Sequence, residues 1–437
     1  MSVFNGKRLD KKLFAIDVDR MRQGWYTDAY FLNIETILHA LSQEGYRFQG
    51  INTGDLEVEM QIFTRRRPFS LVAGIDEALA ILEESTGYYN QEGQFANTYH
   101  QLEVEAVQDG TITYYHGDPL EVQPVLKIRG RYRDFAKLET PILGALSEAT
   151  RVATNVYNVL EATKGKDVLF FPARFTHYKL QALHGYAYSL AVQAYNHKYK
   201  KSSAPFISTD DQGDWWGGKG GGTIAHASIA CFLGDTAETM IQFSRIMPLD
   251  VPRIALVDFH NDCVGETLKV MERMFEKYWE NYREGRFDEA KGYKLFAVRA
   301  DTSGSMRDIS VEPLGDEELD LGVNPRLVWN LRKAMDGAYL TWQLSDTAHA
   351  VAKEWCESVK IVVTGGFDTE KIKKFEKLQV PVDIYGVGSS LLENCGAQGK
   401  SSDYTADIVR VKLNNEWQSM VKVGRKACDN PNLERVQ

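Results

Sequence analysis

Cysteines are few and widely spaced in this sequence, which argues against their two usual structural uses. The five of them are Cys231, Cys263, Cys356, Cys395 and Cys428. A structural zinc site normally shows a closely spaced pair, and a disulfide framework needs many cysteines in a short secreted chain. We expect neither, and the cysteine usage fits a reducing cytoplasm.

Long apolar runs are also missing. No stretch approaches the ~18 apolar residues that a membrane-spanning helix needs. Residues 1–19 contain neither the apolar core nor the small-residue cleavage site of a secretory signal. The sequence therefore predicts no membrane partner and a cytoplasmic location.

Positive charge is in deficit, because 51 lysines and arginines face 60 acidic residues and give a formal net charge of −9. A protein whose main partner is nucleic acid needs a basic excess to neutralise phosphates, so this deficit argues against nucleic acid as the main partner. Two short basic runs remain, at residues 65–67 and at Lys371, Lys373 and Lys374. Such runs usually lie on solvated faces. Phosphate contact is the alternative, above all for the first run.

What remains is the composition of a globular enzyme, with 437 residues of which 43% are hydrophobic and 25% charged. This length allows two or three domains, or a large barrel with additions. Short apolar runs rich in β-branched or aromatic residues alternate with helical stretches, which predicts a parallel sheet. Six such runs favour a barrel over a small open sheet. They are residues 168–174, 204–210, 253–259, 294–301, 360–366 and 382–388.

Polar residues or glycines lie at the ends of these six runs. In a barrel the carboxyl ends of the strands face the active site. The alternative is that aspartate and glycine merely stop strands and start turns. The residues concerned are Arg174, Asp210, Asp258, Asp301, Gly365, Gly366 and Gly388.

The first part of the chain has a different pattern, with helices and strands that do not alternate regularly. We predict an N-terminal α+β domain at residues 1–137 and a barrel at residues 138–399. The tail, residues 400–437, returns to strand-like alternation and is expected to complete the first domain.

Residues 213–228 read GDWWGGKGGGTIAHAS and contain six glycines before a lone histidine. Gly213, Gly218 and Lys219 match a P-loop, but Gly220 stands where that motif needs a hydroxyl for Mg²⁺. A flexible loop is the simplest interpretation. His226 nevertheless remains a candidate for acid–base or nucleophilic work, because histidine titrates near neutral pH.

Ten short motifs occur together in one order, and together they resemble the nicotinate phosphoribosyltransferases. These are type II phosphoribosyltransferases, related to the nicotinamide and quinolinate enzymes. The motifs are TDAYFLN (27–33), FTRRRPF with AGIDEAL (63–79), DGTITYYHGDPL (109–120), LETPIL (138–143), PARF (172–175), GGTIAHAS (221–228), ALVDFHND (255–262), VRADTSG (298–304), VTGGFD (363–368) and YGVGSSLL (385–392).

The resemblance implies an α/β fold, namely an incomplete α/β barrel packed against the N-terminal α+β domain. It also implies a homodimer whose active site uses both chains. The implied reaction joins nicotinate to 5-phosphoribosyl 1-pyrophosphate (PRPP) and gives nicotinate mononucleotide and pyrophosphate, in NAD salvage. Members of the family often couple this to ATP through a phosphorylated histidine, as in a ligase, and the matching residue is His226.

The residue types suit this chemistry independently, because breaking the bond to pyrophosphate calls for positioning and charge stabilisation. The glycine loops offer bare N–H groups at predicted helix starts, a site for the 5′-phosphate. The PRPP-binding candidates are Arg299, Gly365, Gly366, Gly388 and Ser389. Asp258 and Asp301 are candidates for the ribose hydroxyls or for Mg²⁺, with Asp301 also a catalytic candidate beside His226.

The base site is assigned to Arg174, Phe175 and Tyr30. A guanidinium can pair with a carboxylate, and an aromatic ring can stack on a pyridine. The resemblance implies that Tyr30 packs on the other ring face from the partner subunit. Ordinary core packing is the simpler interpretation of either aromatic residue alone.

The sequence departs from the nicotinate pattern near the base, and this leaves the substrate open. Many family members have a double arginine where this chain has Arg174 alone, and Asp210 or Asp211 could accept from an amide and repel a carboxylate. The alternatives are therefore a nicotinamide phosphoribosyltransferase and a non-catalytic nucleotide-binding relative. A dehydrogenase is disfavoured, because no G-x-G-x-x-G follows a strand.

Overall fold

The computed structural model describes residues 7–394 and 401–437. No helix in these residues is long and apolar enough to cross a membrane. The α-helices are Val18–Arg22 (α1), Ala29–Gln43 (α2), Ile75–Ser85 (α3), Glu139–Ala162 (α4), Gln181–Tyr199 (α5), His226–Cys231 (α6), Thr236–Ile246 (α7), Cys263–Arg283 (α8), Phe287–Gly292 (α9), Glu317–Asp320 (α10), Pro325–Gly337 (α11), Asp346–Ser358 (α12) and Thr369–Lys377 (α13).

Two large sheets and three antiparallel two-stranded sheets contain the strands of the described residues. The strands are Arg47–Phe48 (β1), Ile51–Asn52 (β2), Glu57–Thr64 (β3), Phe69–Leu71 (β4), Gly87–Tyr89 (β5), Phe95–Asn97 (β6), Glu103–Ala106 (β7), Ile112–Tyr114 (β8), Leu126–Arg131 (β9), Asp167–Phe170 (β10), Phe206–Ile207 (β11), Ile254–Leu256 (β12), Ala297–Ala300 (β13), Lys360–Val363 (β14), Ile384–Val387 (β15), Tyr404–Leu413 (β16), Glu416–Ser419 (β17) and Glu434–Arg435 (β18).

The second large sheet is a parallel half-barrel. Its six strands follow the order β11-β10-β15-β14-β13-β12, and each neighbouring pair is parallel. Every one of the six apolar runs singled out in the sequence contains one of these strands, so the predicted fold class is confirmed. Edge strands β11 and β12 are not hydrogen-bonded to each other in the described chain, which leaves one side of the barrel open.

The interior of the half-barrel is apolar at the amino end of its strands. Leu169, Ile254, Ala297, Val362 and Ile384 form a small buried cluster there. Side chains alternate across a strand, so the next inward position of β13 is two residues later, and it is occupied by an arginine. The barrel therefore changes from apolar to charged along its axis towards the carboxyl ends.

The first large sheet is antiparallel and takes strands from both ends of the chain. Its order is β17-β16-β3-β9-β7-β18. Strand β16 pairs with β3 along most of its length, from Tyr404 opposite Thr64 to Val411 opposite Val58. The domain boundary expected at 399/400 lies outside the described residues, and the division of the chain into domains stays a prediction.

A buried carboxyl group connects the first part of the chain to the barrel. Asp109 accepts hydrogen bonds from the Ile75 N–H (2.9 Å) and from the Tyr186 hydroxyl (3.1 Å). Burial raises the pKa of Asp109 to about 7, and the nearby charge of Asp76 adds to the rise. The folded state thus favours the protonated form of this side chain.

This raised pKa predicts a pH-dependent stability contribution. Its stabilising effect is complete below the unfolded pKa of about 4 and is lost as the pH rises to about 7. We expect Asp109→Asn to remove a decline on the order of a few kcal/mol in the free energy of unfolding over that range. Denaturant titrations at several pH values measure this. Asp118→Asn, on an exposed turn, is the control, and equal pH profiles for wild type and Asp109→Asn would contradict the prediction.

Candidate active site

Two carboxylates lie side by side at the carboxyl edge of the half-barrel. Leu256 of β12 pairs with Arg299 of β13. Asp258 follows Leu256 by two residues, and Asp301 follows Arg299 by two residues. The pairing of the two strands therefore brings the two carboxylates to the same level. Consistent with this proximity, the negative charge of Asp301 contributes to a raised pKa of Asp258, although burial is the larger cause.

His226 lies against the first of these carboxylates. Its Nε2 is 3.0 Å from Oδ1 and 3.1 Å from Oδ2 of Asp258. The Asp258 side chain is 9% exposed and the imidazole is 49% exposed, so a buried anion orients an accessible ring. A carboxylate can only accept, which makes Nε2 the donor and leaves Nδ1 as the basic nitrogen of the neutral ring. Such an imidazole can act as a base or a nucleophile.

Arg299 lies inside the barrel mouth, beneath the two carboxylates. One of its terminal nitrogens donates to the Ile224 carbonyl (3.0 Å), and its buried Nε has no partner within the described residues. Burial lowers the pKa of Arg299; Asp301 and Asp258 oppose this, and the positive charge of Arg174 adds to it. Two guanidinium groups and two carboxylates therefore share this mouth.

A glycine loop follows β14 and is tied to Asp301. Gly365 and Gly366 have φ values of 86° and 66°, a region in which other residues are strained. The Thr364 hydroxyl donates to Oδ1 of Asp301 (2.7 Å), and a Cβ at Gly365 would lie 3.2 Å from the same oxygen. Helix α13 begins a few residues later, at Thr369. The loop thus presents main-chain groups beside a fixed carboxylate.

A second glycine loop follows β15 and contacts the aromatic candidate. A Cβ at Gly388 would lie 2.8 Å from Cε2 of Phe175. The Arg174 guanidinium carbon lies 5.2 Å from the centroid of the Phe175 ring, which is itself about half exposed. Ser389 is exposed, while the hydroxyl of Ser390 donates to the Phe367 carbonyl (2.9 Å) and connects the two glycine loops.

The glycine-rich segment crosses the open side of the half-barrel. Gly220 pairs with Ile207 of edge strand β11, and the Gly221 N–H donates to the Ile207 carbonyl (2.8 Å). A Cβ at Gly220 would lie 2.7 Å from the main chain of Thr209, and one at Gly221 would lie 2.8 Å from the Phe206 ring. Close packing therefore requires glycine here. The segment then leads to His226 on the β12 side.

Most of the predicted site residues meet at this edge. One group contains His226, Asp258, Asp301 and the Gly365–Gly366 loop. The other group contains Arg174, Phe175, Gly388 and Ser389, and Arg299 lies between the two groups. Tyr30 is the exception. It lies on α2, where its hydroxyl donates to Asp28 (3.3 Å), and its side chain is 62% exposed. Its place at the site stays a prediction that requires a second subunit.

The expectation that the two basic runs lie on solvated faces holds for only some of their residues. Lys373 and Lys374 form surface ion pairs with Glu370 and Glu318, as solvated residues do. Lys371 is half-buried against the Gly365 loop, so the expectation of a solvated face is wrong for it. The same expectation is wrong for Arg66, which is 5% exposed.

Three further residues of the mouth were not predicted. Phe171 lies in the barrel interior, Thr364 holds Asp301, and Phe259 lies 6.5 Å from the His226 ring, centroid to centroid. Thr364 and Phe259 stand inside motifs quoted above, but the sequence carries no signal that separates them from ordinary strand residues.

The carboxylates fit a magnesium site completed by substrate. Within the described residues, no group of three or more histidine, cysteine or acidic side chains is arranged to hold a metal. Mg²⁺ is usually bound through one or two carboxylates together with waters and substrate phosphates. Asp301 and Asp258 match that pattern, so these two residues would hold the ion if a phosphorylated substrate supplied further ligands.

An open α/β barrel with its charged groups and glycine loops at the carboxyl edge is the architecture of an enzyme that binds a phosphorylated substrate there. Residues 28–150 match the family model for the N-terminal domain of quinolinate phosphoribosyl transferase. The structure is similar to nicotinate-nucleotide pyrophosphorylase from Pyrococcus furiosus, with 26% identity, a TM-score of 0.63, and coverage of 96% of this chain and 84% of that one.

The fold is also similar to that of human nicotinic acid phosphoribosyltransferase. Identity is 15% and the TM-score is 0.54, with 88% of this chain and 74% of that chain covered. The fold is that of the type II phosphoribosyltransferases, and the matched model describes an N-terminal domain of that group. These similarities indicate a phosphoribosyltransferase of NAD metabolism.

Proposed function

We propose that the protein transfers the phosphoribosyl group of PRPP to nicotinate and that ATP drives the reaction through a phosphorylated histidine. The observation that carries the choice of base is the position of Arg174 beside the half-exposed ring of Phe175, next to Gly388. A pyridine ring stacked on Phe175 would place a carboxylate substituent within reach of a guanidinium.

The charges at the mouth support a carboxylate rather than an amide. Burial lowers the pKa of Arg299 and the positive charge of Arg174 adds to this, so an anionic base would offset the positive charge that Arg299 experiences. Asp210, one of the two residues that could select an amide, has its Oδ1 engaged by the Gly220 N–H (2.9 Å). This hydrogen bond gives Asp210 a role in holding the glycine-rich segment.

The carboxylates and the loops suit the phosphoribosyl donor. As C1 separates from pyrophosphate, positive charge develops on the ribose, and Asp301 and Asp258 are placed to stabilise it or to hold the ribose hydroxyls. Bound Mg²⁺ would supply charge neutralisation of the leaving pyrophosphate. The main-chain N–H groups at Gly365, Gly366 and Gly388 would bind the 5′-phosphate.

His226 is the residue for ATP coupling. Asp258 orients the imidazole, so that Nδ1 can accept a phosphoryl group from ATP while Nε2–H stays bound to the carboxylate. The bond that forms is between Nδ1 and phosphorus, and the bond that breaks joins that phosphorus to the ADP oxygen. ATP is thus a co-substrate of the proposed reaction.

The proposed active unit is a homodimer. Trp25, Tyr26 and Tyr30 are 68%, 43% and 62% exposed at the start of α2 and just before it. Exposed aromatic groups of this size are enriched in protein interfaces. In a dimer, Tyr30 of one subunit would cover the base bound at Phe175 of the other.

A second candidate base is quinolinate, which carries two carboxylates. Two observations favour it: the match of residues 28–150 to the quinolinate family model, and the two neighbouring guanidinium groups. Purified protein with PRPP and Mg²⁺ should be offered nicotinate, quinolinate and nicotinamide in turn, with and without ATP. Preference for nicotinate with ATP stimulation supports the proposal. Preference for another base replaces the substrate, and nucleotide binding without turnover of any base indicates a non-catalytic relative.

We expect Asp301→Asn to weaken the use of PRPP by about tenfold, the loss of one charge-assisted interaction. The KM for PRPP should rise while the KM for nicotinate stays close to wild type, because Asp301 lies at the Gly365 loop and not at Phe175. Asp383→Asn, at the amino end of β15, is the matched control. Unchanged donor kinetics in Asp301→Asn would refute its assignment.

A further inference from the structure

Lys371 lies over the glycine loop that follows β14. It belongs to the first turn of α13, and its side chain turns back so that Nζ is 3.4 Å from the Gly365 carbonyl oxygen. Its Nζ also lies 4.3 Å from the centroid of the Phe367 ring. The ammonium group is therefore held above the segment between β14 and α13.

The neighbouring lysines of α13 behave differently. Lys373 pairs with Glu370 (2.8 Å) and Lys374 pairs with Glu318; the Lys373 side chain is exposed and that of Lys374 is partly buried. Lys371 is placed instead against a main-chain carbonyl and an aromatic ring, which are weak partners for a full positive charge. A hydrogen bond of 3.4 Å is at the long end of the normal range.

The loop under Lys371 has the features of a phosphate cradle. Gly365 and Gly366 have positive φ values, and consecutive N–H groups in such conformations form anion-binding concavities. Helix α13 also starts here, so the positive end of its dipole faces the same loop. A lysine side chain that reaches such a loop supplies a mobile point charge for phosphate.

We propose that Lys371 binds the 5′-phosphate of PRPP, exchanging its weak contact with Gly365 for an ion pair with the phosphate. This assignment rests on the proposed function, because it takes the phosphoribosyl group as the ligand of the loop. It adds a side-chain cation to a site otherwise built from main-chain groups.

Ribose 5-phosphate is the probe for the test, since it carries the 5′-phosphate and cannot react. Its dissociation constant is measured by calorimetry for wild type, Lys371→Met, Lys371→Arg and Lys373→Met. Methionine is an unbranched side chain of similar length without the charge, so the fold should be retained, and thermal unfolding checks this. We expect binding to weaken roughly 10- to 100-fold in Lys371→Met, to recover largely in Lys371→Arg, and to stay unchanged in Lys373→Met.

The pH dependence supplies an independent readout. Burial lowers the pKa of Lys371 to about 8; Asp368 opposes this and Lys374 adds to it. Asp301 lies against Gly365, and Glu318 is paired with Lys374. Wild-type affinity for ribose 5-phosphate should fall as the pH rises above about 8, whereas Lys371→Arg, which stays charged, should not lose affinity there.

The outcomes separate this proposal from the proposed function. Three results would overturn the role of Lys371, even if the enzyme turns over nicotinate. They are an unchanged affinity of Lys371→Met for ribose 5-phosphate, an equal loss of affinity in Lys373→Met, and no binding of ribose 5-phosphate to the wild type. A selective loss in Lys371→Met together with no turnover of any base sustains the phosphate site and overturns the proposed reaction.

Discussion

Replacing His226 by alanine is expected to lower turnover by roughly 100-fold or more and to abolish stimulation by ATP. Proton transfer or covalent catalysis by a positioned imidazole typically contributes factors of this size. The half-exposed ring of His226 is oriented by a buried carboxylate, and its removal leaves the barrel core untouched because α6 lies at the rim. Steady-state rates with and without ATP, together with ATP hydrolysis, measure the effect.

His260 provides the matched control for this experiment. It follows the same strand as Asp258 and is similarly exposed, but its Nδ1 lies 3.5 Å from Glu266. His260→Ala should retain ATP-stimulated turnover. Asp258→Asn should lie between the two, because the ring remains but loses the negative charge of its partner, and the amide can donate as well as accept, so it no longer fixes the tautomer. Continued ATP hydrolysis in step with product formation in His226→Ala would exclude the phosphohistidine role.

Arg174→Ala should raise the KM for nicotinate by roughly 10- to 100-fold, which corresponds to the loss of a charge-assisted pair. Arg174→Lys should recover only part of this, since an ammonium group cannot reproduce the planar fork. The KM for PRPP should change little, because Arg174 lies beside Phe175 and not beside the Gly365 loop. Initial rates at varied concentrations of each substrate separate the two effects.

If the protein acts on nicotinamide instead of nicotinate, the expected substrate preference is the opposite one. If Asp210 or Asp211 selects an amide, the wild type should prefer nicotinamide in kcat/KM, and Asp210→Asn should erase the preference. The hydrogen bond from Gly220 to Asp210 predicts another result for that variant, namely a disturbed glycine-rich segment with no change of preference. Measuring kcat/KM for both bases on the wild type decides between the two assignments.

The strands of the barrel could be predicted because buried parallel strands have a strong local signature. Runs such as residues 253–259 and 360–366 are apolar and bounded by turn residues, and each contains a strand of the sheet. Their polar ends could also be predicted as neighbours, since the carboxyl ends of parallel strands share one edge. Asp258 and Asp301 meet for this reason.

Other parts of the site depend on contacts that a sequence does not display. Lys371, Lys373 and Lys374 look equivalent in a basic run, and only the packing of α13 on the Gly365 loop distinguishes them. Gly220 and Gly221 were expected to lie in a flexible loop, whereas the structure gives them close contacts with Thr209 and Phe206. The role of Tyr30 depends on another subunit, which neither one chain's sequence nor its fold supplies.

The segment that crosses the open side of the half-barrel gives the active-site rim two unequal mechanical properties. From β11 round to β12 the rim is a continuous hydrogen-bonded ladder, which cannot widen without losing several main-chain bonds at once. Across the gap it is a single peptide segment, attached to β11 through Ile207 and to the β12 side through His226. Local opening of such a segment costs far less than unfolding a strand. The His226 imidazole thus lies on the more easily opened part of the rim, and in the proposed reaction local opening there would admit a polyphosphate while the carboxylates and glycine loops keep their spacing.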